Sequence, residues 1–435
     1  MAGKLQPYNA YEPVSYDYVN QLPPGWKLLP NIAIFEERIE RGHEKEELLS
    51  VTIGKGIIKQ TNVEIKKDSS NEDKSKYKFV KEGDLAYNKM RMWQGALGYS
   101  KSNGIVSPAY IVLKPKMKIN PRFFHYMFRS CLYTNYSKRF SYGIVDDQLS
   151  LRYTDFKRMY SIVPPLETQN AIVDYLDGKN AKIDEFIRKK ERLIEVLEEK
   201  RRTIIDNIVN SKNNYEKGNK PLKYLVKIIS DQTHQISDGE TYLALENIKS
   251  WTGQIDLSVG LGEFDSTVKR FKTGDVLFNK LRPYLAKVVI PEFDGVCVSE
   301  LLVLRPSKIV CKEFLFYKLI SRSFIDYVDS STFGSKMPRA TWDLIGKIEI
   351  SYPMSLKAQK DMVEKIQFKE KQLERLKEQY IKEILTIKQY QESLISEIVT
   401  GKNKVPNSIT ASAFDDVFGI AAEEVAGYNS NKHHD

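Results

Sequence analysis

The chain has 435 residues, enough for two hydrophobic cores, and carries 67 Lys and Arg against 57 Asp and Glu, a formal net charge of +10 with a pI near 9.0. That balance suits a polyanionic partner without requiring one, since a mildly basic surface also serves solubility. Three cysteines without a CxxC pair and five histidines without ligand spacing argue against a disulfide framework or a structural zinc. With no apolar run of membrane-spanning length and no signal-peptide pattern, a soluble chain of a reducing cytoplasm is expected.

Residues 1–20 are polar and tyrosine-rich, with Pro7 and Pro13, and read as an N-terminal arm outside any core. A first globular domain is expected over 21–165. It opens with the turn Leu22-Pro23-Pro24-Gly25-Trp26-Lys27, followed by short strands near Glu47–Ile53 and Ile57–Ile58. Alternating apolar residues between Gly83 and Pro115, broken by Gly, Asn and Ser, predict a set of short strands with tight turns. Phe123–Tyr136 reads as one aromatic-rich helix, and Arg158–Val163 as a closing strand.

A long helix is expected over 166–212. Ile183, Ile187, Ile194, Leu197, Ile204 and Ile208 form a narrow coiled-coil seam that Lys190 and Arg201 interrupt. At 1.5 Å per residue it would run roughly 60 Å, the length of a rod rather than of a core helix. Ser211–Lys220 reads as a polar hinge, and a second globular domain over 213–353 repeats the first. Gly83-Asp84, Asn88-Lys89, Arg91 and Trp93 return as Gly274-Asp275, Asn279-Lys280, Arg282 and Tyr284. A second long helix over 354–402 carries Leu373, Tyr380, Ile387 and Leu394 on a strict seven. Each apolar seam needs a cover, and the two helices are expected to cover each other. The tail 403–435 holds a short amphipathic piece that the sequence does not assign. The expected class is α+β: two similar mixed α/β globular domains separated by two long helices forming an antiparallel coiled coil.

Enzyme signatures are absent: there is no P-loop, HExxH or GxSxG, and no Asn-Pro-Pro-aromatic segment. Gly260-Leu261-Gly262 reads as a hairpin turn, and Asp146-Asp147 as a solvated loop. The strand-turn pieces holding Asn88, Lys89, Arg91 and Trp93, and Asn279, Lys280, Arg282 and Tyr284, gather amide, cationic and aromatic groups. Such groups hydrogen-bond base edges, contact phosphate and stack on bases. Trp93 and Tyr284 could equally be core, and the Gly-Asp pairs are fully explained as turns. The segments Gln148–Arg152 and Lys336–Arg339 add Gln148, Arg152, Lys336 and Arg339 as candidates for DNA contact.

The doubled order of globular domain and long helix resembles the specificity subunit of type I restriction-modification systems. The resemblance runs from Leu22–Lys27 through Gly83-Asp84 and the helix-opening Pro164-Pro165-Leu166-Glu167-Thr168-Gln169, then from Gly274-Asp275 to Gly401-Lys402. The second helix opening, YPMSLKAQKDMVEKI, departs from the pattern before Gln359, which puts its local turn in doubt. The resemblance implies a non-catalytic subunit with two target recognition domains, each reading half of a bipartite site in double-stranded DNA. The helix pair would set the gap and dock two methyltransferase subunits, and endonuclease/translocase subunits would join. The chain itself would hold no cofactor, S-adenosylmethionine, ATP and Mg2+ belonging to the partners. Two other classes stay open: a coiled-coil scaffold whose globular domains bind proteins, and an enzyme with an unrecognised site, such as a nuclease.

Overall fold

In the computed structural model, which describes residues 5–62, 73–143, 149–211, 215–237, 239–259, 267–332 and 337–406, the Gly83–Pro115 segment folds into strands as its alternation predicts. The chain divides into two compact units, Met1–Lys189 with Glu383–Asp435, and Lys190–Lys382.

In the first unit an antiparallel sheet runs in the order Phe35–Glu37, Tyr110–Pro115, Leu85–Asn88, Leu97–Tyr99. Beside it Lys78–Val80 pairs with Gly104–Val106. The short helix α1 (Asn31–Ile34) follows an early strand. The aromatic segment is two helices rather than the expected one, α2 (Pro121–Arg129) and α3 (Cys131–Arg139). The break falls at Ser130, whose extended backbone and hydroxyl, accepting from Tyr133 N, cap the second helix. With α4 (Tyr153–Phe156), these elements bury Phe35, Phe123, Phe124, Phe128, Tyr133 and Phe156 in one aromatic core. The N-terminal residues do not stand apart as an arm. Glu12–Tyr16 and Val19–Leu22 form a hairpin. Its Tyr16 hydroxyl meets that of Tyr136 at 2.8 Å, and Tyr18 donates to the Tyr160 carbonyl. The long helix α5 (Leu166–Val209) begins in this unit.

The second unit repeats the sheet in the same order: Val226–Ile229, Leu301–Pro306, Val276–Asn279, Val288–Val289. Even the register agrees, Asn279 facing Leu301 as Asn88 faces Tyr110. Helices α6 (Lys312–Ile320), α7 (Arg322–Ser330) and α8 (Trp342–Ile345) stand where α2, α3 and α4 stood. The expected hinge is partly a strand, because Lys217–Pro221 pairs along its length with the closing strand Glu349–Pro353. The second long helix, α9 (Leu356–Val399), begins in this unit.

One glutamine fastens the head of each long helix to its unit. Gln169 accepts from Asn120 N at 2.8 Å and donates to the Pro164 carbonyl. Gln359 accepts from Cys311 N at 2.8 Å and donates to the carbonyls of Pro353 and Ile309. Both side chains are buried, so the altered sequence before Gln359 leaves the turn intact.

The two long helices pair antiparallel. In the first unit, Gln391 of α9 donates to Asn180 of α5 at 3.0 Å. There Leu394, Ile398 and Val399 join Ile172, Val173 and Leu176 in the core. In the second unit, Lys190 lies over the Tyr380 ring at 4.4 Å, Glu198 meets Lys377 and Arg201 meets Glu370. Lys190 and Arg201, which break the apolar seam, thus have an aromatic face and a carboxylate opposite them. Ile205 and Val209 pack with Met362, Val363 and Ile366. The expected α+β class with an antiparallel coiled coil is therefore what the chain adopts. Among the described residues no helix is long and apolar enough to cross a membrane.

Replacing Gln169 or Gln359 with Leu leaves a part-buried backbone N–H, of Asn120 or Cys311, unpaired at the start of α2 or α6. Each change should cost about 1–3 kcal/mol, read as a lower urea midpoint at unchanged slope. A midpoint equal to wild type would contradict the clamp.

Candidate nucleic-acid interface

In both units the candidate residues sit where the inner strand of the sheet ends and turns. In the first, Asn88 Oδ1 accepts from Met90 N at 2.9 Å, an Asx turn that throws Lys89 and Arg91 outward. The returning segment is pinned to that turn, Leu151 N donating to the Lys89 carbonyl at 2.9 Å. The second unit makes the same bond, from Ala340 N to the Lys280 carbonyl at 2.9 Å. There Asn279 is buried, its amide both accepting from and donating to the Leu281 backbone. The two asparagines are therefore engaged in shaping the turns.

The Gly-Asp pairs behave as turns. Gly83 and Gly274 have φ of 87° and 91°, values that favour glycine. Asp84 accepts from Lys81 N and Asp275 from Lys272 N, each at 2.9 Å. A guanidinium completes both, Arg38 on Asp84 and Arg305 on Asp275.

The outward groups differ between units. In the first, Lys89 and Arg152 line one open concavity with Glu37, Lys78, Ser150 and Tyr153. Lys78 is bound to Glu37 at 3.0 Å and to the Tyr110 carbonyl at 2.9 Å. Among the described residues neither Lys89 nor Arg152 has a side-chain partner, and both place their cations at this concavity. Trp93 is half-buried, donating to the Met90 carbonyl at 3.2 Å beneath the Lys138 ammonium. Arg91 is exposed.

In the second unit, Arg282 is exposed with φ 51°, its N–H donating to the Pro338 carbonyl at 2.7 Å. Tyr284 is 46% exposed, a surface residue rather than core. Arg339 pairs with Glu300 at 2.7 Å. Lys280 is half-buried, and burial, followed by Lys280 itself, pushes the neighbouring Lys269 ammonium below its ordinary value. Gln148 and Lys336 lie outside the described residues, as do Asp146-Asp147 and Gly260-Leu261-Gly262.

Sequence reasoning missed the lysine behind each turn. Lys78 donates to the Tyr110 carbonyl and Lys269 to that of Leu301 at 3.0 Å, the residues opposite Asn88 and Asn279. The offset that carries Gly83 to Gly274 also carries Lys78 to Lys269, and that was the available signal. Trp251 was missed as well. It donates from Nε1 to the Tyr284 carbonyl at 3.1 Å, and no counterpart in the first copy marks it.

No family model matches the chain. A stretch of 131 residues is 28% identical to the type I restriction enzyme EcoDI specificity subunit of Escherichia coli, covering 29% of this chain and 28% of that protein's length. The fold is shared with a chain from a structure on complex assembly and conformational transition of the type I R-M system, at a TM-score of 0.62 and 15% identity over 88% of this chain and 99% of that one. The HsdS subunit of Thermoanaerobacter tengcongensis aligns over 88% of this chain and 98% of its own at 17% identity, but its TM-score of 0.47 is too low to add to the argument.

If Lys89 and Arg152 meet phosphates, changing both to Gln should weaken binding to every duplex alike. The slope of log K against log salt should become shallower by about 2, at roughly 0.9 per phosphate contact. Fluorescence anisotropy across a salt series measures it, and an unchanged slope would remove both residues from the interface.

Proposed function

We propose that this chain, whose resemblance to the type I specificity subunits is carried by both sequence and fold, is the DNA-reading subunit of a type I restriction-modification complex. Recognition domains over 21–165 and 213–353 each read one half of a bipartite, asymmetric duplex site. The spacer helices 166–212 and 354–402 fix the gap between halves and dock two methyltransferase subunits, to which endonuclease/translocase subunits add. The chain reads and does not catalyse; S-adenosylmethionine, ATP and Mg2+ belong to the partners. Its three free thiols fit a cytoplasmic home.

The observation that carries this reading is the doubled turn. Both units hold it at the same strand end by the same backbone bond and with the same Asn-Lys-x-Arg residues, but in different settings: Trp93 under Lys138 and Arg152 beside Lys89 in the first, exposed Tyr284 and an Arg339–Glu300 pair in the second. A fixed frame with variable contacts is what two half-sites of different sequence require. The cations at Lys89, Arg152, Lys280 and Arg282 would supply affinity through phosphate, while the guanidinium and aromatic groups around them discriminate base edges.

The gap follows from helix length. Removing one heptad between Ile187 and Ile204, with the matching heptad from α9, takes out about 10 Å of helix, or about three base pairs. Selection of binding sites from a random-spacer library should return both half-sites unchanged around a shorter gap. An unchanged gap would reject the helices as the ruler, and the absence of any sequence preference in the wild-type complex would favour a protein-binding scaffold.

A further inference from the structure

Within the second unit, Trp251 touches α5 on one side and the candidate turn on the other. Its carbonyl accepts from Arg201 of α5, and the Arg202 guanidinium covers its ring at 4.5 Å. Its N–H donates to the Ala286 carbonyl at 3.2 Å and its Nε1 to the Tyr284 carbonyl at 3.1 Å. Arg201 is itself held by Glu370 of α9 at 2.5 Å, and Glu370 accepts from the Tyr317 hydroxyl at 2.5 Å. The Trp251 backbone has φ 65°, a conformation a bulky residue keeps only where its surroundings over-determine it. Two residues on, Gly253 has φ 74° and lies against the Phe316 ring, leaving no room for a Cβ.

The first unit has the helix half of this arrangement without the turn half. Asn180 and Gln391 stand in for Glu370 and Arg201, and Asn180 donates to the Tyr126 hydroxyl as Tyr317 donates to Glu370. Among the described residues neither amide reaches the turn at Met92–Gln94. Trp93 there is held by Met90 and lies under Lys138 of α3.

We propose that Trp251 is a positioning residue that clamps the Arg282–Tyr284 turn to the Arg201–Glu370 pair, so that base discrimination by the second domain, and not by the first, depends on the helix pair. The inference rests on the DNA-reading function proposed above. The turn is short and exposed, and Arg282 is in a left-handed conformation, so side chains on it hold a fixed attitude toward DNA only if its backbone is anchored. Three hydrogen bonds, two from Trp251 and one into it, add to the bond from Arg282 N–H to the Pro338 carbonyl and tie the turn to α5.

The test uses the full chain in its methyltransferase complex, with two variants. Trp251→Phe keeps a ring under Arg202 and removes only the bond to Tyr284; Arg201→Met removes the hydrogen bond from α5 and leaves the Arg202 guanidinium over the ring. Methylation rates are compared on the cognate duplex and on duplexes with single base changes in either half-site. Both variants should lose about fivefold in discrimination at the second half-site, the worth of about one hydrogen bond, and none at the first. Hydrogen exchange over residues 280–287 should accelerate in both, a readout independent of DNA. Equal losses at both half-sites, unchanged discrimination, or unchanged exchange would overturn the clamp. A wild-type complex that discriminates at neither half-site would overturn the reading beneath it, and the clamp with it.

Discussion

The narrow apolar stripes of α5 and α9 are covered by each other, and the two cores of the chain are completed around that pairing. The partner that α5 finds lies at the far end of the sequence. As a result the first unit is completed by Leu394, Ile398 and Val399, and the second by Ile205 and Val209 together with Met362, Val363 and Ile366. Neither half of the sequence owns a whole core. The polar interruptions of the stripe have specific opposites, Tyr380 under Lys190 and Glu370 against Arg201, so they fix register where plain leucines would allow sliding.

Around this shared element the duplication has kept some interactions and replaced others. Kept are those in which a side chain satisfies backbone groups: Gln169 and Gln359 at the helix heads, Asp84 and Asp275 in the Gly-Asp turns, Lys78 and Lys269 behind the inner strand. A buried backbone N–H or carbonyl sits in the same place whatever the neighbouring side chains are, so its partner has few substitutes. Replaced are the side chain to side chain contacts. Asp84 takes its guanidinium from Arg38 and Asp275 from Arg305; Tyr126 binds Asp177 and Asn180 where Tyr317 binds Glu370. Around the turns, whose lysine and arginine are kept, the neighbouring groups differ: Trp93 lies under Lys138 and Arg152 joins Lys89 in the first unit, while Arg339 pairs with Glu300 in the second. That gradient, from a constant frame to variable surroundings, is the physical basis for assigning one recognition surface to each unit.

Features set by local periodicity or by exact repetition were legible in the sequence: the seams of α5 and α9, the strands of Gly83–Pro115, the Gly-Asp turns and the pairing of Asn88-Lys89 with Asn279-Lys280. Features set by distant partners were not. Tyr16 and Tyr18 read as an arm because nothing nearby reveals that Tyr136 and the Tyr160 carbonyl await them. Lys217–Pro221 reads as a linker because the strand it pairs with, Glu349–Pro353, lies far along the chain. The break at Ser130 was hidden inside an apolar run, although a serine followed three residues later by the N–H it caps was visible in principle. Of the candidate contacts, Asn88 and Asn279 proved to be occupied in making turns. Lys89 and Arg152, far apart in sequence, meet in one concavity, which no spacing rule anticipates.

The claim that two dissimilar heads read DNA across a fixed gap is tested most directly by mapping adenine methylation in the genome of cells with and without this chain, its proposed partner subunits present in both. The account predicts methylation that depends on the chain and falls within two short, unlike motifs separated by a constant stretch of unspecified bases. A single uninterrupted motif, a gap that varies from site to site, or a methylation pattern indifferent to the chain would contradict it.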